Sequence, residues 1–158
     1  MRPFGVSLIA VLMFLIGFST LIGGLYLLSA KEFVLEVMLK KYGYILNETF
    51  KQLGITEVGR EILLKALNFL ALFSIVFGSI YVITGYGLWT LKEWGRVLAV
   101  IICGINAIYG IFVLFTDLSA IIYVVVNLLI IWYLMRRDIR ESFRVKSIEE
   151  RILGDQNP

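Results

Sequence analysis

Four long apolar stretches, Phe4–Ala30, Ala66–Leu91, Val97–Thr116 and Leu118–Met135, hold no Asp, Glu, Lys, Arg or His. They run to 27, 26, 20 and 18 residues, and about 20 apolar helical residues cross a ~30 Å hydrocarbon core. Each is long enough to span, and the first two have length to spare for tilt. A buried helix of a soluble protein is the alternative reading of the shortest. Composition favours the membrane: the chain is 59% hydrophobic and 17% charged, whereas a soluble domain is roughly half apolar and about a quarter charged. The expected fold is all-α, an integral membrane four-helix bundle forming one domain over residues 1–158.

The same feature removes chemistry. Ionisable groups inside a membrane are costly and mark ion paths, proton relays and active sites. Here the spans have none. The chain also has no His, the commonest metal ligand and physiological-pH acid–base, and a single cysteine, Cys103, placed mid-span. No CxxC, HExxH, GxSxG or phosphate-binding glycine loop is present, and Gly85-x-Gly87 lacks the third glycine of a dinucleotide site. No catalytic residue, metal or cofactor is expected.

The first stretch follows Arg2 but is about twice the usual length of a signal-peptide core, and Leu28-Ser29-Ala30 puts a large residue where cleavage needs a small one. It reads as a retained span. Four spans place both termini on one side. That side carries Arg2, Lys92, Arg96 and the tail of residues 136–158, nine basic residues in all, against six in the 31–65 loop. The positive-inside rule then puts both termini in the cytoplasm, and Trp89, Trp94 and Trp132 fall near the same interface.

The 31–65 loop is too long for a connector and too apolar for a free linker. Ser29-x-x-Glu32 has capping-box spacing, Glu32, Glu36 and Lys40 line a face opposite Val34, Val37 and Met38, and Gly43 is a stop signal. Leu46, Phe50 and Leu53 form a second amphipathic run ending at Gly54, and Thr56 is positioned to cap a third helix leading through Glu61 and Lys65 into span two. The segment reads as an amphipathic helical cap between spans one and two, either a shield for the bundle or the wall of a ligand vestibule. Asn47-Glu48-Thr49 matches the glycosylation sequon and would report topology if exported.

After span four, Arg136, Arg137, Arg140 and Arg144 gather on one side of a continuing helix. Juxtamembrane basic clusters attract anionic lipid by about 1 kcal/mol per residue, so these four are candidate anionic-lipid contacts. Ordinary positive-inside anchoring is the alternative, and nucleic acid is not an expected partner.

Lipid offers no hydrophobic drive between helices, so small residues that permit close approach carry the packing signal. Ala10, Gly17 and Gly24 recur every seven residues in span one, and Ala71, Gly78 and Gly85 do so in span two. Each set stays on one seam of a left-handed pair. Spans three and four hinge near Thr116–Asp117, which places Asn106 and Asn127 at matched depth, about 15 Å from the turn at ~1.5 Å per residue. An amide in hydrocarbon needs a partner, and these two are expected to meet. A polar lining for a permeation path is the alternative.

The stretch Gly85-Tyr86-Gly87-Leu88-Trp89-Thr90-Leu91-Lys92-Glu93-Trp94-Gly95-Arg96 resembles a turn of small prokaryotic four-span proteins of unknown function, in which Gly-Leu-Trp precedes Trp-Gly-Arg and a further apolar span. The resemblance covers this hairpin and the layout of spans. It implies a helical membrane protein and carries over no activity. The cysteine-bearing outer loops of tetraspanins and claudins have no counterpart.

Function therefore reads as a non-enzymatic accessory or scaffold role, in which the protein packs against a second copy of itself or another membrane protein. A small transporter or channel component, gated by the 31–65 cap, is the second reading. A membrane enzyme comes third and would have to use loop carboxylates such as Glu48, Glu57 or Glu93.

Overall fold

Backbone polar groups in lipid must be satisfied within their own segment, which leaves the α-helix as the form for apolar runs of this length. The computed structural model describes residues 3–52 and 60–154, and every regular element among them is helical. The order is α1 (Phe4–Ser29), α2 (Lys31–Gln52), α3 (Arg60–Trp89), α4 (Glu93–Leu114), α5 (Ala120–Met135) and α6 (Arg137–Gly154). Helices α1, α3 and α4 are each long and apolar enough to cross a membrane. At ~1.5 Å per residue the 16 residues of α5 reach only about 24 Å. The chain bends by 58° between α5 and α6, and the bent pair together makes a fourth candidate span.

Among the described residues, one helix, α2, stands where two were expected up to Gly54, and the third expected helix, through Glu61 and Lys65 into span two, is the start of α3. Helix α2 runs unbroken through Gly43, at which a Cβ would meet nothing within 4 Å. A mid-helix glycine costs about 1 kcal/mol relative to alanine. It ends a helix only where the backbone turns left-handed, and this one stays helical. The capping box at Ser29 does not form either. The Ser29 hydroxyl donates back to the Leu25 carbonyl at 3.0 Å, and the Val34 N–H bonds Ala30 across the single-residue break. Gly54 and Thr56 lie outside the described residues.

Two compact units divide the chain: Ile16–Ile80, and Met1–Leu15 with Tyr81–Pro158. Within the first, α1 and α3 approach through their small residues. A Cβ on Gly78 would meet the Gly17 carbonyl oxygen at 2.9 Å and the Leu21 nitrogen at 2.8 Å, and one on Gly24 would meet the Ala71 carbonyl oxygen at 3.0 Å. Leu35 and Met38 of α2 join Leu63, Ala66, Leu67 and Leu70 of α3 around an apolar cavity of about 130 Å³. Lys31 Nζ donates to Asn68 Oδ1 at 3.2 Å, and Arg60 pairs with Glu36 at 3.9 Å. Both partners of that ion pair are exposed, so it contributes little.

The second unit has a buried core of Val6, Ile9, Ala10, Met13, Leu88, Leu91, Ala99, Cys103, Leu134, Ile139 and Phe143. Here a Cβ on Gly85 would meet the Ala10 carbonyl oxygen at 3.2 Å. Gly24 thus approaches Ala71, Gly17 approaches Gly78 and Ala10 approaches Gly85, stepping by seven in opposite directions as antiparallel helices require. On α4, Gly110 lets Val124 of α5 close in, to 2.7 Å from an added Cβ.

Candidate functional site

The polar residues at membrane depth come first, because an unpaired amide in hydrocarbon is expensive. Asn106 Nδ2 donates to the Tyr81 hydroxyl on α3 at 2.7 Å, whereas Asn127 Nδ2 donates to the Tyr123 carbonyl one turn earlier in α5 at 2.8 Å. The two amides therefore do not satisfy each other as their matched depth suggested. A tyrosine on a third helix reaches one, and a free carbonyl lone pair within the same helix serves the other. Tyr81 escaped the sequence reading, although a phenolic O–H buried in lipid is itself a signal, since it too must find a partner. The hydroxyls of Thr20 and Ser79 likewise donate back to the carbonyls of Ile16 and Ile75.

The α3–α4 connection explains the glycine–tryptophan–arginine pattern. Leu91 adopts a left-handed φ of 56°. Its N–H bonds the Leu88 carbonyl at 3.1 Å and the next N–H, of Lys92, reaches back to Gly87 at 2.8 Å. This pair of bonds is a Schellman motif, with leucine where glycine is usual. The left-handed region costs a residue with a Cβ about 1–2 kcal/mol, and Leu91 is held there by burial in the core. Helix α4 then starts at Glu93, four residues earlier than the apolar stretch. Its first turn brings Gly95 against Gly87 so closely that a Cβ on Gly87 would lie 2.6 Å from Gly95 Cα.

That crossing buries a charge. Arg96 is 7% exposed, and its Nη2 bonds Glu93 one turn back, while its Nε finds no acceptor among the described residues. One guanidinium is thus sealed in, and its carboxylate partner stays half-exposed. Glu93 in turn lines a cavity of about 650 Å³ together with Arg137, Arg140, Glu141 and Arg144 of α6.

Of the four arginines expected to share a face, three line this cavity and Arg136 does not. Arg136 is the residue at which the chain bends, and it donates to Asp138 at 3.1 Å with its guanidinium 5.8 Å from the Trp132 ring. The opposite face of α6 explains the orientation of the rest. Ile139 and Phe143 are buried in the core, which turns Arg137, Arg140 and Arg144 outward at helical spacing.

In the turn between α4 and α5, Asp117 accepts from both the backbone N–H and the hydroxyl of Ser119, at 2.9 and 2.8 Å. The hydroxyl bond and then the backbone bond hold its carboxyl below the ordinary 3.8. This is a turn-forming role, the side chain bonding the backbone two residues on. Among the loop carboxylates, Glu48 accepts from the Tyr44 hydroxyl at 2.8 Å, and Glu57 lies outside the described residues. No group of three or more Cys, Asp or Glu able to hold a metal occurs among the described residues.

A multi-pass helical membrane protein with a buried arginine in the turn between two spans is the class that this fold and site define. The chain belongs to the family described as predicted membrane protein (DUF2127), which matches residues 5–137. The match covers the spans and the α3–α4 turn and ends at Arg137, before the remaining α6 residues of the cavity. No curated protein and no solved structure matches the chain.

Proposed function

We propose that the protein is a non-enzymatic accessory or scaffold component of the membrane. It crosses four times, with α5 up to the bend at Arg136 as the last crossing and both termini in the cytoplasm, and it associates through helix–helix contacts with itself or another membrane protein. The observation that carries this reading is the outward face of α1. Ser19 and Gly23 are both exposed there at i, i+4 spacing, and a Cβ on Gly23 would meet nothing within 4 Å. Gly24, Gly78, Gly85, Gly87, Gly95 and Gly110 are already occupied by close neighbours, whereas Gly23 on α1 and Gly104 on α4 are open, and only Gly23 has a second small exposed residue, Ser19, one turn away to admit a second helix.

Two further features support contact over conduction. The amides of Asn106 and Asn127 are bonded within the bundle instead of lining a path. Helix α2, the described helix of the 31–65 cap that a transporter would use as its gate, is tied to α3 by the Lys31–Asn68 hydrogen bond. The test is pairwise association in native membranes, read by crosslinking or single-molecule co-localisation. Gly23→Ile is expected to lower association by about tenfold, the scale of 1.4 kcal/mol, with a melting temperature no lower than that of wild type. Undiminished association of that variant would overturn the reading.

A further inference from the structure

The cavity between the first turn of α4 and α6 has more positive charge than it neutralises. Its lining is Glu93, Arg137, Arg140, Glu141 and Arg144. Glu93 is already held by the buried Arg96, which leaves Arg137 and Arg140 facing the single carboxylate of Glu141. Arg137 and Arg140 form no ion pair among the described residues. Arginine presents a planar fork of donors that matches phosphate oxygens two at a time. A cavity of about 650 Å³ lies inside the ~300–1,000 Å³ range of small-ligand sites.

Depth decides which phosphate. Trp94 directly follows Glu93, and Trp132 precedes Arg137 by little more than one helical turn, and both are exposed to their surroundings. Tryptophan concentrates at headgroup level, and α5, the apolar helix leading in, ends at Met135. The cavity therefore opens where lipid phosphates lie, and a ligand entering it would leave its acyl chains beside apolar helix.

We infer that this cavity binds the phosphate-bearing headgroup of an anionic phospholipid, gripped by Arg137 and Arg140, with Glu93, held by Arg96, as a fixed wall. Arg136, engaged with Asp138 and Trp132, is excluded from the grip. The inference goes beyond the scaffold reading and stands whether or not the protein self-associates.

The full-length protein, reconstituted in nanodiscs of phosphatidylcholine with a minor fraction of phosphatidylglycerol, is extracted gently and its retained lipids are counted by native mass spectrometry. Wild type and Arg136→Gln are expected to retain phosphatidylglycerol preferentially. Arg137→Gln with Arg140→Gln is expected to lose that preference by about tenfold, on the scale of one charge-assisted hydrogen bond lost. If the double variant fails to fold, Arg140→Gln alone is read, with a loss of about threefold at half that energy. Equal retention by the arginine variants overturns the inference. So does displacement of the lipid by millimolar inorganic phosphate, which would make this a site for the free ion.

Discussion

Gly87 and Gly95 meet backbone to backbone where α3 hands over to α4: a Cβ on Gly95 would lie 2.7 Å from the Leu88 nitrogen, and one on Gly87 only 2.6 Å from Gly95 Cα. Nothing larger than hydrogen fits at either position without moving a main chain. Gly95→Ala is therefore expected to destabilise the protein by about 1–3 kcal/mol, the range for forced overpacking. Gly104→Ala is the control. A Cβ there meets nothing within 4 Å, and replacing a mid-helix glycine contributes up to about 1 kcal/mol. Thermal unfolding in one detergent should place the two variants on opposite sides of wild type, and a neutral Gly95→Ala would contradict the crossing.

Leu91 inverts the usual ranking of glycine and alanine. Both Leu91→Ala and Leu91→Gly remove a buried side chain, but only glycine is free of the left-handed penalty at φ 56°. The glycine variant should melt above the alanine variant by the equivalent of about 1 kcal/mol. The opposite order would mean that the turn relaxes out of the Schellman geometry.

The seven-residue seams were legible because small side chains have one use in lipid, and the structure pairs Gly17 with Gly78 and Gly24 with Ala71. The amide pairing was not legible to the same degree. Depth along a hairpin says which residues share a level, yet it is silent about a hydroxyl on a third helix or a carbonyl one turn back. Gly43 misled for a related reason: glycine permits a stop but does not impose one. In the cavity, arginine spacing gave the face, whereas the divergence of Arg136 depends on where α5 bends. The buried state of Arg96 follows from the Gly87–Gly95 crossing, which only the folded backbone reveals.

The Asn106–Tyr81 bond makes a double-mutant cycle decisive. Asn106→Leu and Tyr81→Phe should couple by about 0.6 kcal/mol, and by no more than about 2, the measured range for interhelical polar contacts in membranes. The corresponding Asn106→Leu, Asn127→Leu cycle should show additivity, since neither amide nitrogen is bonded to the other residue. Coupling in the second cycle with none in the first would reverse the assignment.

Asp117 carries a pH signature. Its folded pKa lies below 3.8 because Ser119 donates twice to the carboxylate. The carboxylate's favourable contribution is present above the unfolded value and disappears as pH falls through the lower folded value. Removing the hydroxyl by Ser119→Ala deletes the larger of the two causes, so the carboxyl should titrate at higher pH. Side-chain carboxyl NMR on the protein in micelles reads this directly, and an unchanged midpoint would show that the turn does not hold in solution.

The central claim is that the middle of the bundle is packed and dry, so that the protein works through contacts and not through a conduit. Cys103, the single cysteine, tests it without any substitution. It lies on α4 within one turn of Asn106 and is 1% exposed. In sealed vesicles of both orientations, a water-soluble, membrane-impermeant thiol reagent should leave Cys103 unmodified over a period that fully labels a cysteine introduced at exposed Glu141. Labelling of Cys103 at a comparable rate would show water at mid-membrane, and would replace the scaffold with a path.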